Sequence, residues 1–212
     1  MDIQTPEHAA KRRVILSAAR RRFMADGYAA AARERISREA GISTATLYAH
    51  FPGKAELFHH VIIDASEEFA GLIRTVRMET GSPRDRLRSY LRAYARFMAD
   101  PFVRAVFRLV TAERKRFRET AHTFFEMGKR DVGAGLMASL REMTEAGLLD
   151  VRKPSWAAGQ LLGMVEHPLF LAPMITGDDV VAGRSPDSIA DDAVETFLAR
   201  YEVRAAHAVE AA

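Results

Sequence analysis

Residues 38–51 read REAGISTATLYAHF. A run of helix formers reaches Gly41, one apolar residue follows, and Ser43-Thr44 opens a second helical pattern. Glycine accepts the left-handed backbone that a sharp turn after a helix requires. Serine is a strong N-cap, because its hydroxyl accepts from a backbone N–H that the helix start leaves unpaired. Ala40, Ile42, Leu47 and Phe51 fall where they can be buried together against a preceding helix. The spacing is that of a helix-turn-helix, whose second helix enters the DNA major groove. The side chains expected to face outward are Thr44, Ala45, Thr46, Tyr48, Ala49 and His50. Hydroxyls can bond phosphates or base edges, and a small apolar group such as Ala45 can meet a thymine methyl. An ordinary helical hairpin would carry the same spacing.

Immediately beyond lies Pro52-Gly53-Lys54. Pro-Gly ends one helix, and Lys54 is expected to open the next. The start of a helix is electrostatically wrong for a cation, because the macrodipole is already positive there. A phosphate at that point would meet free N–H groups, the dipole and the ammonium together, which makes Lys54 a candidate DNA contact.

Working outward, apolar residues recur at three and four, and strand signals are nearly absent, so the chain reads as all-α with about nine helices. They are expected at about 6–25, 33–40, 44–51, 54–76, 83–99, 102–115, 118–146, 154–175 and 187–206, with Asp26-Gly27, Gly41, Pro52-Gly53, Gly81-Ser82-Pro83, Asp100-Pro101, Gly147, Pro154, Gly177 and Pro186 as punctuation. Val14, Ile15, Ala18, Ala19 and Phe23 form the expected buried stripe of the first helix.

The chain has 212 residues, is 48% apolar and has no cysteine. A substantial core is possible, disulfide and thiol chemistry are excluded, and a reducing compartment fits. The N-terminus MDIQTPEHAAKRRV lacks an apolar signal region, and the apolar stretch at 161–175 is broken by Glu166, His167 and Pro168, so neither secretion nor a membrane span is expected. The expected location is the cytoplasm. The formal net charge of +3 is uneven: residues 1–60 hold 10 Lys/Arg against 6 Asp/Glu, while the remainder holds 21 against 22. A basic first quarter suits a polyanion, and it equally suits a solvated helix face.

Gly27-Tyr28, ISREAG at 36–41, Ile42-Ser43 and TLYAHFPGKAELF at 46–58 closely resemble the signature of the TetR/AcrR family of transcriptional regulators. The resemblance implies a DNA-binding head, 1–53, on a helical body, 54–212, that dimerises and binds a small molecule. It implies backbone contacts to DNA from Tyr48, His50 and Lys54. The family usually carries a hydroxyl residue at the start of the second helix, where this chain has Ala29-Ala30-Ala31-Ala32; Arg33 is expected to compensate as a phosphate ligand. Ala49 replaces a frequently larger residue. The full DNA-contact set is therefore Arg33, Ser43, Thr44, Ala45, Thr46, Tyr48, His50 and Lys54.

ADPFVRAVFRLVTAE at 99–113 and AAGQLLGMVE at 157–166 resemble the AefR-like body of the same family. By that resemblance the helices at 118–146 and 154–175 form a homodimer surface. Gly128, Gly159 and Gly163 would allow close approach, and Leu136, Leu140 and Met143 form an apolar stripe; intrachain core is an equal reading of each. Phe97, Phe107, Phe125, Met127, Trp156, Met164 and His167 are candidate lining of an effector pocket, with core packing as the plainer alternative. His122 with Glu126 and His59-His60 lack the further ligands of a metal centre, and no HExxH, GxSxG, GKS/T or GxGxxG motif occurs. No enzyme activity, cofactor or metal is expected. The expected function is a repressor released from a palindromic operator on double-stranded DNA by a small, largely apolar effector. The alternative is a helical binding or dimerisation module whose head no longer reads DNA.

Overall fold

The computed structural model describes residues 6–74, 81–178 and 183–203. α1 (Pro6–Ala30) starts on a proline, and Gly27 breaks its helical geometry at φ 74. α2 (Arg33–Glu39), α3 (Thr44–His50), α4 (Lys54–Arg74), α5 (Pro83–Met98) and α6 (Pro101–Glu113) follow. α7 (Arg118–Gly128) runs through a π-helical turn, Lys129–Gly133, into α8 (Ala134–Glu145). α9 (Pro154–Glu166) runs through a second π turn, His167–Leu171, into α10 (Ala172–Thr176), and α11 (Pro186–Tyr201) is last. Counting each π-linked pair as one rod gives nine helical rods among the described residues, as the periodicity predicts. An isolated bridge between Leu149 and Glu202 is the extended pairing recorded there.

Packing divides the chain into two compact units. One combines Met1–Gly71 with Phe102–Gly128, and the other combines Leu72–Pro101 with Lys129–Ala212. This division follows contact density and differs from the functional boundary expected after Gly53. In the first unit Phe23, Leu47, Phe51 and Phe58 are essentially inaccessible. Phe117, in the turn after α6, stacks on Phe58 at 4.6 Å and meets Tyr28 edge-on at 4.8 Å. Val14 departs from the expected α1 stripe: it is exposed, and Leu16 is buried in its place. Phe58, Val61, Ile62, Ala65 and Phe69 of α4 are buried as their spacing requires. The expected continuation through Leu72, Ile73 and Val76 lies outside the residues whose side chains are described, as do residues 204–206 of the last expected helix.

In the second unit α5, α8, α9 and α11 share a core that includes Leu91, Tyr94, Leu140, Leu161 and Val194. Leu136, Leu140 and Met143 belong to it and are fully buried. They therefore serve the chain's own core, the second of the two readings their spacing allowed. A Cβ at Gly128, Gly159 or Gly163 would meet nothing within 4 Å, so no close helix approach among the described residues uses these glycines. α5 and α11 are also tied by ion pairs. Arg92 clasps Asp191 at 2.5 Å, Arg96 clasps Asp187 at 2.5 Å, Arg88 reaches Asp191 at 3.2 Å, and Arg84 pairs with Glu195.

Candidate nucleic-acid interface

The turn between α2 and α3 is built as its residues demand. Gly41 sits at φ +67, where a Cβ would be strained. Its N–H donates to Arg38 O at 3.2 Å, and the Ile42 N–H donates to Ser37 O at 3.0 Å, closing α2. Ser43 is the N-cap of α3, its Oγ accepting from the Thr46 N–H at 3.0 Å. At the N-cap of α2 stands Ala32, with no side-chain bond. Ala31 is fully buried, so the alanine run supplies core as well as an uncapped helix start.

α3 lays Leu47 inward and leaves Ala45, Tyr48 and Ala49 exposed. Thr44 is turned from its expected outward position. It is half-buried, with Oγ1 3.2 Å from the Ser37 hydroxyl of α2. The Thr46 hydroxyl lies 2.8 Å from that of Ser43, folded back on the cap. Arg33 donates to the carbonyls of Phe51, at 2.6 Å, and Pro52, at 3.2 Å, which are end groups of α3. Its guanidinium also lies 3.7 Å from the centroid of the Tyr48 ring, close enough for a cation–π contact. Arg33 thus holds the end of α3 and forms the bed under Tyr48.

Lys54 opens α4 as expected, and its ammonium donates to Ala29 O at 3.0 Å while lying 4.9 Å from the Tyr28 ring centroid. Ala29 belongs to the last turn of α1, where carbonyls lack helical partners and carry partial negative charge. An acceptor inside the chain therefore meets the cation that the α4 N-terminus disfavours. Burial, with Arg116 nearby, lowers the Lys54 pKa. Arg116 lies on the same Tyr28 ring, 4.5 Å from its centroid.

His50 closes α3 half-buried, its ring 4.2 Å from that of His8. Its Nδ1 is buried without a hydrogen-bond partner among the described residues. Burial first, then the neighbours His8, Lys11 and Arg12, lower its pKa. The basic face of α1 is largely paired. Arg21 and Arg22 both hold Glu39, at 2.5 and 2.9 Å, and Arg20 holds Glu68 at 2.5 Å.

The amino-terminal profile described as bacterial regulatory proteins, tetR family, matches residues 15–61, and that described as AefR-like transcriptional repressor, C-terminal domain, matches residues 85–203. The chain belongs to the TetR family of transcriptional regulators. This is a family of DNA-binding regulators with a helix-turn-helix head, and not of enzymes. Solved structures agree. A protein of Mesorhizobium loti described as a candidate TetR-family regulator is 29% identical, with TM-score 0.79, over 92% of this chain and 98% of that one. A flavonoid-responsive regulator, FrrA, is 27% identical, with TM-score 0.74, over 93% and 100%. A TetR-family regulator from Pseudomonas syringae pv. tomato shares the fold at 22% identity and TM-score 0.72, over 96% and 100%. No protein of curated function matches in sequence.

Of the residues expected to line a pocket, Phe125 and Trp156 are 63% and 67% exposed, and no apolar cavity encloses them among the described residues. Helical periodicity groups such residues on faces but does not say which face meets water. Phe107 packs edge-on against Phe124 in the first unit, where Met127 is half-buried. Phe97 packs on the second unit's core. Met164 and His167 do line an open cleft of about 570 Å³ in the second unit, with Pro168, Ile189, Ala193 and Arg184. Arg184 was not foreseen; it stands in a loop without helical period. No group of three or more His, Asp or Glu side chains suited to a metal occurs among the described residues, and no described helix is long and apolar enough to cross a membrane.

Proposed function

We propose that the protein is a ligand-responsive repressor that holds a near-palindromic operator as a homodimer, in the cytoplasm, and leaves it when a small, largely apolar effector binds the second unit. The observation that carries the DNA half is the face of α3: a Ser43-capped helix with Ala45, Tyr48 and Ala49 exposed, flanked by the half-buried His50 and Lys54. Ala45 reads a thymine methyl, while Tyr48 and His50 meet the backbone. The acceptor now holding Lys54 is a neutral carbonyl; a phosphate oxygen is the stronger partner and draws the ammonium outward. The Ser43–Thr46 contact uses one hydroxyl proton and leaves the other for a phosphate, while Thr44 donates to DNA only by leaving Ser37, whose own proton goes to Glu34 O. Arg33 acts through Tyr48 and the end of α3, and not as a phosphate ligand.

The carboxy-terminal match to AefR-like repressors supports the sign of regulation, and the flavonoid-responsive relative supports an effector. The cleft beside Met164 and His167 falls in the size range of small-molecule sites. Trp156, Leu171 and Ile175 are exposed apolar groups on the rod expected to dimerise. A two-fold dimer sets its recognition helices about 34–36 Å apart. An inducer that prefers the released state by about 2.7 kcal/mol shifts the ratio of states roughly 100-fold.

Selection from a randomised duplex pool tests this reading. A two-fold symmetric sequence is expected, bound with an affinity that falls steeply with salt. A pool that yields no enriched sequence would instead support the helical module whose head no longer reads DNA, a reading favoured by Ala49 and the uncapped Ala32.

A further inference from the structure

Phe51, the C-cap of α3, is fully buried, and it anchors the recognition helix to the head. Two groups flank its ring. The Arg12 guanidinium of α1 lies 4.8 Å from the ring centroid, and the His60 imidazole of α4 lies 5.6 Å from it. The two flanking groups also touch each other: Arg12 Nη2 is 2.9 Å from His60 Nδ1. Arginine has no acceptor, so it is the donor and Nδ1 must be unprotonated. His60 therefore carries its proton on Nε2, and the clasp closes only while the imidazole is neutral.

We propose that Arg12 and His60 are positioning residues for DNA recognition, a clasp on Phe51 that holds α3 in register and opens when His60 gains a second proton. This rests on the reading of α3 as the DNA-reading helix. Protonation converts Nδ1 from acceptor to donor and sets an imidazolium against a guanidinium. Arg12 of α1 and His59, beside His60 on α4 with its Nδ1 2.9 Å from the Thr120 hydroxyl of α7, oppose that charge. Lys11 and His8 of α1 act on His50 at the end of α3, whose ring lies 6.5 Å from that of Phe51. Glu56 on α4 is a carboxylate that favours the charge, and Asp64, also on α4, lies near Arg12. Burial first, then Arg12 and His59, lower the His60 pKa, while Glu56 acts the other way. The clasp is therefore closed near neutral pH and opens below the usual histidine value of 6.5.

The sign is diagnostic. Acid makes the whole head more cationic, which strengthens sequence-independent attraction to DNA. Loss of the clasp instead weakens sequence-specific binding, by at most about tenfold per pH unit for one linked proton. His60→Gln retains an acceptor for Arg12 and cannot charge.

The experiment measures affinity for the selected duplex and for a scrambled one between pH 7.5 and 5.0, at constant salt. Expected for the wild type is a fall in the ratio of specific to scrambled affinity. His60→Gln should hold that ratio level, and Arg12→Gln should start low and stay low. Backbone amide NMR of α3 over the same pH range supplies a readout without DNA: in the wild type, Leu47, Tyr48 and His50 should shift together with the His60 ring. Superimposable affinity profiles for wild type and His60→Gln, or α3 amides indifferent to His60 titration, would overturn the proposal. Failure of any sequence to bind at pH 7.5 counts against the DNA-reading function, and the NMR titration still decides the clasp.

Discussion

Arg33 and Lys54 both give their donors to backbone carbonyls, yet they differ in what could replace those acceptors. Arg33 bonds the end of α3 through Phe51 and Pro52 and also backs the Tyr48 ring. Its removal takes a donor from the Phe51 and Pro52 carbonyls and the support from beneath the Tyr48 ring. Arg33→Ala should cost about 0.5–1.5 kcal/mol in urea unfolding, the net range for hydrogen bonds whose acceptors water can reach. Ser43→Ala should cost about 0.5–2 kcal/mol in the same assay, because the Thr46 N–H loses its cap. Lys54 has a single neutral acceptor at the mouth of α4. Lys54→Ala should weaken binding to all sequences alike and lower the slope of log affinity against log salt by about one unit. An unchanged slope would remove Lys54 from the phosphate contacts.

At the scale of elements, the α5–α11 pairing makes a second set of charges testable. Hydrogen bonds from Arg96 to Asp187 and from Arg92 to Asp191 lower both carboxyl pKa values below the ordinary aspartate value of 3.8. A depressed folded-state value means stability that is present above the unfolded value and lost as pH falls through the folded one. The thermal midpoint should therefore decline as pH is taken from about 5 towards 2, and Asp187→Asn with Asp191→Asn should flatten that decline. Because these pairs are largely solvated, molar salt should weaken them too. Helix ends were legible in advance, since Gly41, Ser43, Pro83 and Pro186 act on their own backbone. The orientation of whole faces was not. Leu136 and Trp156 both belong to apolar patterns, and one is core while the other is exposed. The inward turn of Thr44 depends on Ser37, a contact across two helices that periodicity does not encode.

For the molecule as a whole, the exposed apolar groups of the α9–α10 rod bear on assembly. Ile175 is 76% exposed, with Leu171 one turn before it. A charge there would be tolerated by a monomer and resisted at a two-fold contact. Ile175→Asp should shift sedimentation towards the monomer without lowering the thermal midpoint, and binding to a full palindrome should drop towards that for one half-site. A variant that sediments as the wild type would move the self-association surface elsewhere.

The stretch from Phe102 to Gly128 joins residues far upstream of it, with Phe117 wedged against Tyr28 and Phe58. Cutting the gene after Gly53 would therefore not liberate a self-sufficient reader. Such a fragment lacks both Phe58 and the Phe117 plug, and Tyr28 would face water. Anyone grafting this head onto a foreign effector module must carry the later helical corner along with it, or supply another aromatic lid.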